Sequence, residues 1–202
     1  MERNVDPAES LQIIRETLAK VRRHLSFGTG PVYRTWGLAW IAGFAFTDMV
    51  VRGPLRGVIA EGWIGAAWIA ITGLAGLYTY RYFRRQPVET DARRRFLLGW
   101  LAAFTLMGLT VGSTGAAGLP LHGVQFAVFA IFTAAVIYIV TGAILLDNVQ
   151  AGVGAWLGLA NVISLQLGPD SYLLAVALLG GGGLVVAGFL DDRANRVRGE
   201  KR

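Results

Sequence analysis

Cysteine is absent from this chain of 202 residues, which removes disulfides, thiolate nucleophiles and cysteine-based metal sites. Histidine is nearly absent: His24 and His122 are the only two, too few for a histidine-rich metal centre. Charge is scarce, at 16% Asp, Glu, Lys and Arg against about 25% in soluble domains. No Walker sequence occurs, and Gly28-Thr29-Gly30 lacks both the third glycine and the preceding strand of a dinucleotide fingerprint. No Ser/His/Asp set can be assembled at one depth. These absences argue against an enzyme, and neither cofactor nor metal is expected.

What is present is apolar. Hydrophobic residues make up 54% of the chain and mean hydropathy is +0.50. The apolar residues come in blocks at about 32–51, 62–80, 96–113, 124–146, 150–167 and 172–190. Each is roughly 20 residues long, the length of helix that crosses about 30 Å of hydrocarbon. The alternation of a membrane β-barrel is missing. The expectation is an all-α, polytopic membrane bundle of six transmembrane helices arranged as three hairpins. It divides into residues 1–30, a cytoplasmic amphipathic helix and hinge; 31–190, the transmembrane domain; and 191–202, a basic, frayed cytoplasmic tail.

Orientation follows from the basic residues. With the N-terminus inside, the inner segments carry 17 Lys and Arg and the outer ones only Arg52 and Arg56, a strong positive-inside bias. Both termini are therefore expected in the cytoplasm. The same bias accounts for the net charge of +6 without nucleic acid as a partner. The mixed, charged first 30 residues do not read as a signal peptide, and no lipidation motif is visible.

The N-terminal helix has its own start signal: Asp6 as cap, Pro7 at the first helical position and Glu9 three residues after the cap. Leu11, Ile14, Leu18, Val21 and Leu25 follow at spacings of three and four, one apolar stripe. Lys20, Arg22 and Arg23 suit the helix's negative C-terminal end. The stripe could dimerise, receive a cytosolic partner or lie on the inner leaflet. The interspersed Glu9 and Glu16 disfavour plain lipid binding.

The odd-numbered spans share an opening. Trp40, Trp100 and Trp156, 60 and 56 residues apart, are each followed by an aliphatic and then a small residue. A polar group stands six positions before each: Arg34, Arg94 and Gln150. Two explanations stay open, a hairpin repeated in one orientation and the ordinary preference of tryptophan for the interfacial belt. Gly108 with Gly112, and Gly154 with Gly158, are small residues four apart that let helices approach closely and permit a homo-oligomer. The run Gly180, Gly181, Gly182 and Gly183 reads either as close packing or as a hinge or broken helix beside a cavity.

Ionisable and polar groups within spans are candidate functional residues. Asp48 lies four positions before Arg52, an ion-pair spacing. Glu61 sits at the outer mouth of the second span, where with Asp48 it could form an acidic entrance. Asn161 is central in the fifth span, suited to a ligand or to an interhelical hydrogen bond. Arg34 reads as an interfacial anchor. The middles of the spans hold no Lys, Arg, Glu or His, which leaves no ionisable relay for a proton-coupled carrier.

The run Pro31-Val32-Tyr33-Arg34-Thr35-Trp36-Gly37-Leu38-Ala39-Trp40, behind a short charged helix, resembles the opening of a family of small six-span bacterial membrane proteins, of actinobacterial type and often encoded beside a winged-helix regulator. The likeness covers about residues 10–50. The hairpin repeat is similar in architecture, and only in architecture, to small acid-resistance membrane proteins. The resemblance implies a bacterial inner membrane and carries no catalytic motif. The expected role is a non-enzymatic anchor or regulatory scaffold that presents residues 7–25 to a cytosolic partner. The rival is a small-solute channel or carrier with a pathway near Asp48, Glu61 and Asn161.

Overall fold

Apolar stretches of this length, poor in interior proline, satisfy their peptide groups most simply as helices. The computed structural model describes residues 29–85, 90–116, 124–144 and 147–200. The N-terminal stripe Leu11, Ile14, Leu18, Val21 and Leu25, and both histidines, lie outside the described residues. Helix α1 is Gly30–Val51, α2 Gly62–Arg84, α3 Thr90–Ala116, α4 Val124–Ile144 and α5 Asn148–Gln166. The last helix, α6, runs through Tyr172–Val176, a π-helical stretch Ala177–Gly181, and Gly182–Glu200. No strand occurs among the described residues beyond an isolated bridge, Arg56 to Ile59.

Three stretches are long and apolar enough to cross a membrane: Gly62–Arg84, Val124–Ile144 and Tyr172–Ala194. Their apolar surface faces outward. In the most apolar window of α2 only 11% of residues are buried, and Ile69 and Leu74 are 75% and 69% exposed. In water such surface would be a large unfavourable term; the coarse expectation of an all-helical membrane protein holds.

The core sits between α1, α4, α5 and α6. One cluster joins Phe44 of α1, Ala127 and Ile131 of α4, and Tyr172, Leu173, Val176 and Ala177 of α6. A second joins Tyr33, Ala135, Tyr138, Val153, Leu157 and Leu184. Helix α2 packs on α1, where the Trp68 ring meets Phe44 edge-on with centroids 4.9 Å apart. Helix α3 reaches the core through Trp100, whose ring is 4.9 Å from that of Tyr138.

The first and last helices run antiparallel and very close. A Cβ on Gly37 would lie 2.6 Å from the Gly181 carbonyl oxygen, and one on Gly188 would lie 2.5 Å from that of Gly30. Only glycine allows backbones to meet at that distance. Gly154 serves the same purpose between α5 and α4: its Cβ would lie 2.6 Å from the Ala135 carbonyl. A Cβ on Gly158 would lie 3.9 Å from that of Ala135, an ordinary contact, whereas one on Gly108 or Gly112 of α3 would have nothing within 4 Å.

The frayed tail expected after residue 190 needs correction: α6 continues as helix to Glu200. Asp191 and Asp192 are engaged by α1, as described below, and this holds the helix in register as it leaves the apolar span. The glycine run does not break α6 either. The chain widens into a π-helical turn at Ala177–Gly181 and resumes at Gly182.

Candidate functional site

A helix starts with N–H groups that have no intrahelical partner, and at α1 the local cap is missing: the Thr29 side chain makes no capping bond. The cap comes from the far end of the chain. The Gly30 N–H donates to Asp191 Oδ2 at 2.8 Å and the Thr29 hydroxyl donates to the same oxygen at 3.3 Å. Asp191 is buried, 6% exposed. Its negative charge faces the positive end of the α1 dipole, which favours the charge there.

One turn further along α1, Arg34 completes the contact. Its guanidinium pairs with Asp192, donates to the Gly188 carbonyl at 3.4 Å and lies 5.0 Å from the centre of the Phe189 ring. Such a cation–π geometry adds to the ion pair. Gly188 gives the arginine stem its room: a Cβ there would lie 2.6 Å from Arg34 Cγ. Arg34, Phe189, Asp192 and Arg193 line a surface cavity beside the contact.

Asp191 and Asp192 were not among the residues the sequence singled out. The available signal was a pair of acids at the basic rim of the last span, level with a lone arginine at the start of the first.

The polar candidates do not converge. Asp48 and Arg52 approach to 3.9 Å, and Arg52 also lies 3.9 Å from Asp170 in the α5–α6 turn, so the C-terminal end of α1 is linked to that turn. Glu61 is exposed at the start of α2. Asn161 is 5% exposed and bonded at both ends of its amide: it accepts from the Tyr172 hydroxyl at 2.6 Å and donates to the Val128 carbonyl at 3.2 Å. It therefore bonds α5 to both α6 and α4.

The three residues preceding the repeated tryptophans part company. Arg34 pairs with Asp192, Gln150 is buried and donates to Thr141, and Arg94 is exposed. The tryptophans also differ. Trp40 lies beside Gly180, Trp100 meets the Tyr138 ring edge-on, and Trp156 donates its indole N–H to the Leu179 carbonyl at 2.8 Å.

Among the described residues no group of three or more His, Asp or Glu side chains is placed to hold a metal. No family model matches the chain, and no curated protein or solved structure matches it.

Proposed function

We propose that this protein is a six-span bacterial inner-membrane protein whose bundle is a fixed anchor for a cytoplasmic surface made by residues 7–25, the arginine-rich 81–95 segment and the end of α6. Support for six spans comes from the lengths of α1, α3 and α5, at 22, 27 and 19 residues; at 1.5 Å per residue each covers about 30 Å or more. Each also packs against its sequence neighbour, as three hairpins require. Both termini are assigned to the cytoplasm by the positive-inside bias.

One observation carries the anchoring role. The N-terminal segment joins the bundle at Thr29, and there the backbone is tied to Asp191 and, one turn on, Arg34 to Asp192. A carrier that alternates between two states needs its helices to move against each other; here first and last helices interlock through glycine contacts and a charged clamp. A solute path past Asn161 is disfavoured because both ends of its amide are bonded.

The test is deletion of residues 1–25 from the full-length protein, followed by cross-linking in native membranes and pull-down. The expected result is loss of specific cytosolic partners while the bundle stays folded. An unchanged set of partners and an unchanged phenotype would end the anchoring proposal.

A further inference from the structure

Between α5 and the inner half of α6 lies an outward-facing groove of about 660 Å³. Its floor is glycine: Gly152 on α5 and Gly182 on α6 each have nothing within 4 Å of a would-be Cβ, and Gly183 lies against the Trp156 indole. Val186 and Leu190, exposed at 57% and 58%, form one wall. The Trp156 N–H is already given to Leu179, so the tryptophan offers the groove an apolar face.

Two properties say what fits. The groove follows α6 from Leu178 to Leu190, about 18 Å at 1.5 Å per residue. That is little more than one leaflet of a roughly 30 Å hydrocarbon core. A partner transmembrane helix runs through both leaflets; an acyl chain occupies one. The second property is charge. Arg193 follows Leu190 by three residues, on the same side of the helix, and is exposed. Asp192 is paired with Arg34 and Asp147 caps α5 by accepting from Val149 and Gln150, so the nearby carboxylates are engaged elsewhere. Arg196, Arg198, Lys201 and Arg202 follow in sequence.

We propose that this groove binds one anionic phospholipid of the cytoplasmic leaflet, its acyl chain over Gly152 and Gly182 and its phosphate at Arg193. The inference rests on the orientation given above, with the end of α6 in the cytoplasm, and not on the anchoring role.

The full-length protein, purified in detergent, is titrated with dioleoyl phosphatidylglycerol and with dioleoyl phosphatidylcholine and read by native mass spectrometry. The expected result is one phosphatidylglycerol that survives activation sufficient to strip the others. In Gly152→Phe/Gly182→Leu, whose new side chains enter open space, its retention falls at least about tenfold, as expected when the apolar contact is lost. In Arg193→Ala the preference for phosphatidylglycerol over phosphatidylcholine falls about fivefold, the worth of one basic residue near an anionic surface. Undiminished retention in the filled variant, or equal retention of the two lipids by the wild type, overturns the proposal. So does disulfide cross-linking between copies through Gly152→Cys, which would make the occupant a second protein. Loss of partners on deleting residues 1–25 is a separate readout: either result there leaves the lipid measurement intact.

Discussion

Asp191 accepts the backbone N–H of Gly30 across 161 positions of sequence, so the last helix supplies the cap that the first helix lacks. Asp191→Ala removes that acceptor and the partner of the Thr29 hydroxyl together. Loss of a side-chain N-cap costs about 0.5–2 kcal/mol, and that is the expected drop in unfolding free energy, measured by denaturant titration in mixed micelles. The start of α1 should also open: proteolysis near Thr29 should quicken in Asp191→Ala and remain slow in Asp191→Asn, whose amide oxygen still accepts.

Asn161 and Tyr172 give a second measurement. Interhelical hydrogen bonds in membrane proteins average about 0.6 kcal/mol and reach about 1.7. A double-mutant cycle with Asn161→Leu and Tyr172→Phe should therefore return a coupling of about 0.5–1.5 kcal/mol, because the 2.6 Å bond between them is lost in either single variant. Liposome flux should be indifferent to Asn161→Leu and to Asp48→Asn. Flux abolished by both substitutions would favour the solute pathway over the anchor.

Much of this fold was legible in the sequence because the bilayer sets a length: stretches near 32–51, 62–80, 124–146 and 172–190 all overlap helices. Asn161 was legible as polar and central, and Asp48 with Arg52 as neighbours on one helix face. What could not be read was which helices meet. Asp191 and Asp192 looked like the solvated start of a tail because a sequence does not show that α6 returns beside α1. The glycine run was ambiguous for a related reason. Gly181 is required by the backbone of α1, Gly183 by a tryptophan on α5, and Gly182 by neither; three adjacent glycines have three different surroundings.

That difference predicts opposite signs for one kind of substitution. Gly37→Ala and Gly181→Ala each put a methyl group within 3 Å of the opposing helix. They should destabilise the bundle by about 1–3 kcal/mol, the usual cost of overpacking. Gly108→Ala and Gly112→Ala meet nothing within 4 Å and should stabilise α3 by up to about 1 kcal/mol each, the helix preference of alanine over glycine. Denaturant titration of the four variants tests the contrast. A loss of stability at Gly108 or Gly112 that grows as the protein is diluted would instead mark that face as a contact between copies.

The number of spans can be decided because the chain has no cysteine of its own, so a single introduced thiol reports without background. If only the three most apolar stretches, Gly62–Arg84, Val124–Ile144 and Tyr172–Ala194, crossed the membrane, Val58 and Asn148 would lie on the same side. With six spans they lie on opposite sides, Val58 outside and Asn148 inside. Arg85 is a second reporter: with six spans it lies inside with Asn148, and with three it lies on the side opposite Asn148; all three positions are exposed. In intact cells an impermeant maleimide should label Val58→Cys and leave Asn148→Cys and Arg85→Cys unlabelled until the membrane is opened. Labelling of Asn148→Cys in sealed cells would exclude the six-span topology and, with it, the placement of the Asp191 clamp at the cytoplasmic rim of a closed pair of first and last spans.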